Sequence, residues 1–198
     1  KDYKFNIILI DSGNPTNYGS IVNEYIVLEE QFNYNKFLNI GFKHVTSEWV
    51  LISNDDVGYE IGWFSEMMKV YEMRPDIESF SPKDPMYYML YFPWHFVNGN
   101  SMYYECYTIT EGIVGWSILI KKTALDKIGD FDEQFDMYYQ DNDYGELLKL
   151  NGIKHAVVRN SIAVHRGTMR VRQTPSDEYI KKMQEDELKF RTKWNIWT

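Results

Sequence analysis

The sequence predicts an α/β domain in which a mostly parallel central sheet is flanked by helices. Short apolar runs that stop at polar or turn residues alternate along the chain with short helical patterns, as strands and crossover helices do in parallel sheets. The chain also has 198 residues, 44% of them hydrophobic, which is enough to bury one full core but not two. We therefore expect residues 1–198 to form a single domain.

The first half of the chain alternates between predicted strands and helices. Phe5–Ile10 is a continuous apolar run that ends in a turn-forming segment, which is typical of a strand buried on both faces. Apolar positions from Trp63 to Met73 recur with helical spacing and stop before Pro75. The other predicted elements of this half are helices at Ile21–Tyr25 and Lys36–His44 and strands at Ile26–Leu28, Trp49–Ile52 and Glu78–Lys83.

The second half begins with residues 86–108, whose poor periodicity indicates an irregular loop or a pair of edge strands. A helix is predicted at Asp143–Leu150 because Asn151 and Gly152 supply a C-terminal cap. The remaining predicted elements are strands at Trp116–Ile120, Ile153–Val158 and Ile162–Val164 and helices at Lys122–Ile128 and Ser176–Lys193.

Charge and composition exclude several classes of partner. The formal net charge is −8 and no Lys/Arg run concentrates positive charge, which argues against nucleic acid. No apolar run approaches 18 residues, so we expect no membrane span. Cys106 is the only cysteine, which rules out an intrachain disulfide and favours a reducing compartment. We therefore expect a cytoplasmic location, which includes the cytoplasmic face of a membrane.

An acidic cluster follows the predicted strand at Trp49–Ile52. Its residues are Asn54, Asp55 and Asp56, and two adjacent carboxylates at a strand end repel each other unless a cation compensates. Mg²⁺ and Mn²⁺ prefer such oxygen ligands. Asp11 also follows a strand, so both sites are expected to face one crevice at the carboxyl edge of the sheet. The alternative is a turn that caps the next helix.

Two further residues are candidates for chemistry. Asp141 is predicted at or just before a helix N-terminus, where its ionised form is favoured and can accept a proton. His165 ends a β-rich run near Gly167 and becomes a metal-ligand candidate if the fold brings it to Asp56. The alternatives are an N-cap for Asp141 and a hydrogen-bonded structural role for His165.

The order of these motifs resembles that of the inverting glycosyltransferases of family 2. That family has the GT-A fold, the Rossmann-like fold of nucleotide-diphospho-sugar transferases. The matching segments occur in the family's order over about residues 5–197: Ile8–Gly13, Asn39–Gly41, Ser53–Val57, Ile128–Phe135, Gln140–Asp143 and Val164–Gly167. Each motif alone is weak, and the series carries the resemblance.

The resemblance implies a role for each matching residue. Asp11 would contact the nucleobase, which favours a pyrimidine, with Asn39 and Lys36 near the base or the diphosphate. Asn54, Asp55 and Asp56 would match the family's Asp-x-Asp-type triplet at the donor, with Asp55 toward the ribose or donor sugar. Asp56 would be the metal ligand for Mn²⁺ or Mg²⁺, and His165 would add a further metal contact. Asp141 would be the general base that takes the proton of the acceptor hydroxyl.

The implied activity is transfer of a sugar from a nucleotide diphosphate-sugar, most simply a UDP-sugar, to a glycan or glycoprotein acceptor. The aromatic segment 87–107 and Gly115–Trp116 would receive the acceptor. Two features depart from the family pattern: Gln140 replaces the usual Glu, and Phe5–Ile10 matches the family's second strand. The resemblance then implies either that the family's first strand and its base-binding loop are missing from this sequence or that the first strand here does both jobs.

Three alternatives stay open at the level of sequence. A non-catalytic carbohydrate- or nucleotide-binding module would keep the fold without turnover. A nucleotidyltransferase would share the acidic metal site, but it normally needs a Gly-rich basic loop near the start, and the sequence has none. A glycosidase using Asp56 and Asp141 as its carboxylate pair would leave the Asn-x-Gly and His-x-Gly motifs without a role.

Overall fold

The computed structural model describes residues 3–13, 19–85, 100–135, 138–166 and 177–197. The strands in these ranges are β1 (Ile8–Asp11), β2 (Glu24–Val27), β3 (Trp49–Ser53), β4 (Val57–Tyr59), β5 (Ile77–Lys83), β6 (Tyr103–Glu105), β7 (Ser117–Lys121) and β8 (Lys154–His165). The α-helices are α1 (Tyr34–Phe42), α2 (Trp63–Met73), α3 (Lys122–Ile128), α4 (Gln140–Asn151) and α5 (Asp177–Trp194). A single 3₁₀ turn at Gly19–Ile21 precedes β2.

The main sheet has six strands in the order β3-β7-β5-β8-β4, with β6 also paired to β8. Strand β8 is long enough to pair with β5 along one edge and with β6 and β4 in succession along the other. Strands β1 and β2 form a separate two-stranded parallel sheet. The fold therefore consists of a large sheet centred on β8 and a small sheet that precedes it in the chain.

The prediction of a mostly parallel sheet was wrong, because the main sheet is mixed. Only β5 and β8 pair in parallel there, whereas β7 runs antiparallel to both β3 and β5, and β4 and β6 run antiparallel to β8. Parallel neighbours need a crossover of a dozen or more residues. Strand β4 follows β3 after three residues and is not its neighbour in the sheet, and it pairs antiparallel with β8 instead.

Other predicted elements differ in extent. The helix predicted at Ile21–Tyr25 was wrong, because Glu24–Val27 forms β2 on the edge of β1. The two strands predicted after Gly152 are one continuous β8. Helices α2 and α3 have the predicted bounds, whereas α4 begins at Gln140, three residues before the predicted start. Of the segment 86–108, residues 86–99 lie outside the described residues, and β6 occupies part of the rest.

The core lies on both faces of the main sheet. On β7, Ile118 and Ile120 belong to the cluster under α3 and α4, whereas Leu119 between them belongs to the cluster under α2. This alternation is the two-residue period of a strand with helices on both faces. In the described part of the chain, none of the helices has the length and apolar composition to cross a membrane.

The directions of the strands bring the ends of β3, β5 and β8 to one edge. Strand β7 is antiparallel to both β3 and β5, so β3 and β5 run the same way, and β8 is parallel to β5. The residues at or after their carboxyl ends are Asn54, Asp84 and His165. The sheet therefore gathers polar side chains at this edge even though it is mixed.

Candidate active site

Asp56 and His165 meet at the carboxyl edge of the main sheet. Val57 pairs with His165 in the β4–β8 ladder, which places Asp56 beside the imidazole. His165 Nε2 lies 3.0 Å from Asp56 Oδ1 and 3.3 Å from Asn54 Nδ2. The backbone N–H of Arg166 donates to the Asp56 carbonyl at 3.0 Å, which closes the β4–β8 end. The imidazole nitrogen and a carboxylate oxygen thus converge on one point.

These two side chains fit a divalent cation as a pair. In this structure the two side chains contact each other directly, with His165 Nε2 3.0 Å from Asp56 Oδ1, and two ligand atoms at about 2.1 Å from one octahedral ion, at right angles, are also about 3.0 Å apart. Within the described ranges, no group of three His, Cys, Asp or Glu side chains is placed to hold a metal. Mg²⁺-type sites commonly use one or two protein ligands and complete their shell with phosphate and water.

Asp141 lies in the first turn of α4, behind an unusual cap. The cap residue Tyr139 has a left-handed backbone with φ 66° and makes no side-chain capping bond. The Asp141 carboxylate instead accepts N–H bonds from Asn142, at 3.0 Å, and from Gly115. Burial raises the pKa of Asp141 above its usual value, and these backbone N–H bonds to the ionised form oppose that rise. A carboxylate whose pKa is raised is a stronger proton acceptor than an ordinary aspartate.

One cavity contains both Asp141 and His165. Its volume is about 240 Å³, and its lining comprises Phe32, Tyr34, Asn54, Gly115, Trp116, Gln140, Asp141 and His165. The indole of Trp116 stacks on the His165 imidazole, with centroids 5.2 Å apart and planes 13° from parallel. The walls thus offer aromatic rings beside a carboxylate, which is a surface that suits the apolar face of a sugar.

A larger cavity of about 580 Å³ adjoins the first and lies among β1, α1 and β3. The two share Phe32, Tyr34 and Asn54 in their linings. Its polar part includes Asp11, Ser12, Ser53 and Asp55, and the rest is mainly apolar. Asp11 accepts bonds from the Gly13 N–H at 3.2 Å and the Tyr25 hydroxyl at 2.7 Å. The structure therefore brings Asp11, Asn54 and Asp55 to one crevice.

Lys36 and Asn39 line neither cavity. The Lys36 ammonium pairs with Glu30. Asn39 is buried, and its amide accepts from the Phe131 N–H at 2.7 Å and donates to the Phe131 carbonyl at 2.8 Å. Asn39 thereby fastens α1 to the loop after α3, as the amide of Asn35 does through Asp132. The binding roles of Lys36 and Asn39 stay predictions.

Neither Gly115 nor Asp143 was assigned a role beside Asp141 from the sequence. An added Cβ on Gly115 would lie 3.0 Å from Asp141 Cβ, so the residue opposite the carboxylate must be small. The buried carboxylate of Asp143 accepts from Trp194 Nε1 at 2.7 Å and from Lys193 Nζ at 2.8 Å, which ties α5 to α4. Of these two residues, only Asp143 could have been recognised from the sequence, because a charged residue in a predicted helix that becomes buried is almost always paired.

Comparisons with known proteins give a family and a fold. A family model described as glycosyl transferase family 2 matches residues 1–129. A comparison with curated proteins finds no match. Among solved structures, a mannosyltransferase from Pyrobaculum calidifontis in complex with GDP-Man and Mn²⁺ is similar with a TM-score of 0.60 and 12% identity, over 94% of this chain and 60% of that one.

A second similar structure is GalNAc-T7 with UDP, GalNAc and Mn²⁺, with a TM-score of 0.59 and 12% identity, over 81% of this chain and 37% of that one. At this identity the similarity shows the fold, which is the GT-A fold of glycosyltransferases. The chain spans between about a third and three fifths of the length of these two structures.

Proposed function

The chain belongs to glycosyl transferase family 2, and on that premise we propose that it moves a sugar from a nucleotide diphosphate-sugar to a glycan or glycoprotein acceptor. We propose further that the transfer inverts the anomeric carbon. One observation carries the proposal. A single cavity presents the Asp141 carboxylate, with its raised pKa, and the His165 imidazole, which meets Asp56 at 3.0 Å.

The donor is proposed to occupy both cavities in succession. Asp11 and Asp55 border the larger cavity, where they would face the nucleoside, and Asn54 borders both cavities. Ring and ribose groups are recognised in proteins by such carboxylate and amide acceptors. The match of Asp11 to the family's base-contacting residue favours a pyrimidine, and we therefore propose a UDP-sugar.

Asp56 and His165 would hold the divalent ion, Mn²⁺ or Mg²⁺. A bound cation supplies charge neutralisation for the diphosphate, on which negative charge gathers as it leaves. The stacking of Trp116 on His165 fixes the plane of the imidazole, and the β4–β8 ladder fixes Asp56 next to it. The two side chains thus approach a ligand already oriented.

Asp141 would act as the general base. Its carboxylate would accept the proton of the acceptor hydroxyl while that oxygen bonds to the anomeric carbon and the bond from carbon to the diphosphate oxygen breaks. Attack from the face opposite the leaving diphosphate inverts the anomeric configuration. The rings of Phe32 and Trp116 beside Asp141 would pack against a sugar of the acceptor.

The apolar part of the larger cavity is proposed to be the place of a further strand. Strand β1 pairs with β2, β3 pairs with β7, and Ile8–Ile10 and Val50–Ile52 both border the cavity between them. A strand in that place would complete the nucleobase pocket. That residues 1–198 form a single domain stays a prediction.

The test is an Asp141→Asn variant. Asparagine keeps the shape of the side chain but cannot serve as a base, so we expect sugar transfer to fall by at least about 100-fold. Binding of UDP with Mn²⁺, measured as a rise in melting temperature, should persist. Asp130→Asn is the matched control, because Asp130 is exposed in the loop after α3. The rise in melting temperature is also measured with GDP and with dTDP, each in the presence of Mn²⁺.

Two outcomes would contradict the proposal. Full transfer activity in Asp141→Asn would remove Asp141 from the mechanism. The protein is not a glycosyltransferase that uses these donors if two results hold together. The first is that UDP, GDP and dTDP with Mn²⁺ all leave the melting temperature unchanged, and the second is that no nucleotide diphosphate is released from UDP-, GDP- or dTDP-sugars. Binding without any release would favour the alternative of a non-catalytic binding module.

A further inference from the structure

The Gly115–Trp116 dipeptide makes four contacts, each with a different residue of the site. The Gly115 N–H donates to the Asp141 carboxylate, and the Gly115 carbonyl accepts from the Tyr34 hydroxyl at 2.9 Å. The Trp116 carbonyl accepts from the Asn54 N–H at 3.0 Å. The Trp116 indole stacks on His165. This dipeptide therefore links the proposed base to the proposed metal pair.

Tyr34 is the only side chain among these contacts that donates a hydrogen bond to the dipeptide. It is the first residue of α1, directly after the cap residue Asn33, whose side chain accepts from the Lys36 N–H at 2.9 Å. The amides of Asn35 and Asn39 tie the same helix to residues 131–132. The Tyr34 hydroxyl thus comes from a helix fixed at both its start and its buried face.

The Tyr34 phenol keeps its proton for this bond. Burial raises the pKa of Tyr34, and the negative charge of Asp141 raises it further. The hydroxyl therefore stays a donor throughout the pH range in which Asp141 ionises. The backbone of its acceptor residue lies against the Asp141 carboxylate, because an added Cβ on Gly115 would lie 3.3 Å from Asp141 Oδ2.

We propose that Tyr34 is a positioning residue that acts on Asp141 through Gly115. By fixing the Gly115 carbonyl, the Tyr34 hydroxyl fixes the dipeptide so that the Gly115 N–H points at the Asp141 carboxylate. The proposal names a role in the reaction and rests on the proposed function for its catalytic meaning. The arrangement of the three residues is independent of what the protein transfers.

The titratable groups around Asp141 define what a test must separate. Tyr34 faces it from α1, Tyr139 precedes it in the cap of α4, and His165 lies across the shared cavity on β8. Loss of the Gly115 N–H bond would remove a stabilising contact of the ionised form, so the pKa of Asp141 would rise. A structural hydroxyl with no link to Asp141 would change stability and leave that pKa in place.

The experiment is a titration of the Asp141 carboxyl carbon by NMR in the 198-residue chain labelled with ¹³C-aspartate, with the signal assigned from Asp141→Asn. In Tyr34→Phe we expect the midpoint of the Asp141 titration to rise by about one pH unit. At a pH below that midpoint, we expect kcat to fall about tenfold while the KM for the donor stays unchanged. Tyr71→Phe is the matched control. Tyr71 lies on α2, and its hydroxyl also makes a hydrogen bond, which it accepts from Lys121 Nζ at 2.7 Å.

Gly115→Ala is a second variant, in which the added methyl group would contact Asp141. The midpoint of the Asp141 titration should also rise in this variant. An unchanged midpoint in Tyr34→Phe, or an equal rise in Tyr71→Phe, would overturn the proposal. If Tyr34→Phe does not fold, Gly115→Ala still tests the contact between Gly115 and Asp141, and an unchanged midpoint in that variant would overturn the proposal. Because the titration needs no substrate, it remains decisive even if the wild-type chain transfers no sugar, which would overturn the proposed function alone.

Discussion

Ser79, Tyr144 and His155 form a buried chain of hydrogen bonds beneath the helix that carries Asp141. Ser79 Oγ lies 2.6 Å from the Tyr144 hydroxyl and 2.6 Å from His155 Nδ1. All three side chains are shielded from solvent. Burial lowers the pKa of His155 to about 3, because a charged imidazole in the core would lose its hydration. The neutral ring thus joins β5, β8 and α4.

This histidine should make the protein sensitive to acid. The unfolded chain binds the proton at a pKa near 6.5, whereas the folded chain does so only at about 3. The contribution of His155 to stability is therefore complete above pH 6.5 and is lost progressively as the pH falls towards 3. We expect the free energy of unfolding to fall less between pH 7 and pH 4 in His155→Gln than in the wild type, as measured by urea denaturation.

His44→Gln is the control for this measurement, because His44 is partly exposed and pairs with Glu24 at the surface. It should keep the acid sensitivity of the wild type. Equal losses of stability over this pH range in His155→Gln and the wild type would show that the buried imidazole does not set the response.

At the scale of elements, two helices approach their neighbours at a glycine. An added Cβ on Gly145 in α4 would lie 2.3 Å from the Tyr107 carbonyl oxygen, a backbone atom. On Gly41 in α1 it would lie 2.7 Å from Ile10 Cδ1, the end of a flexible side chain. The same substitution therefore meets a rigid obstacle in one helix and a movable one in the other.

We expect Gly145→Ala to destabilise the protein by about 1–3 kcal/mol, because the backbone must shift. Alanine gains about 1 kcal/mol over glycine inside a helix, so Gly41→Ala should cost much less and come close to neutral. Guanidinium denaturation of both variants measures the difference. A smaller loss in Gly145→Ala than in Gly41→Ala would contradict this account of how α4 packs.

Local signals predicted the elements that local residues determine. The helical stripe of α2 ends before Pro75, and α3 ends at Gly129 with φ 80°, so both helices have the predicted bounds. The start of α4 escaped prediction because Tyr139 adopts a left-handed backbone without a side-chain cap. Strand β4 has three residues, one of them glycine, and only its pairing with β8 makes it a strand.

Contacts between distant segments limited prediction of the site. The polar strand ends at Asn54 and His165 were visible in the sequence, but their meeting depends on strands 111 residues apart. Asn39 suggested a ligand contact, yet its amide bonds to Phe131, 92 residues away. The order of the motifs in the sequence could not show which of their residues contact one another in the fold.

On the scale of the whole molecule, the two sheets differ in how well they are covered. The residues of β7 are buried from Ser117 to Ile120, whereas Tyr25 and Val27 of β2 are exposed. The small sheet has one described strand pairing, and β8 alone has three. Fewer buried contacts favour local opening.

We therefore expect the amides of Tyr25–Val27 to exchange with deuterium much faster than those of Ile118–Ile120. Hydrogen exchange followed by mass spectrometry measures both in one experiment. Global unfolding alone would give equal protection to the two sheets, so equal exchange rates would contradict separate stability of the small sheet.

The central place of β8 also bears on synthesis of the chain at the ribosome. Strands β4, β5 and β6 can pair with β8 only after it has been synthesised, and the end of β8 lies roughly 80 residues after the end of β5. At about 5–20 residues per second, this interval lasts about 4–16 s. During it the backbone N–H and C=O groups on that edge of β5 have no strand partner. Cotranslational binding by chaperones that shield apolar strands would matter most for this protein in that window.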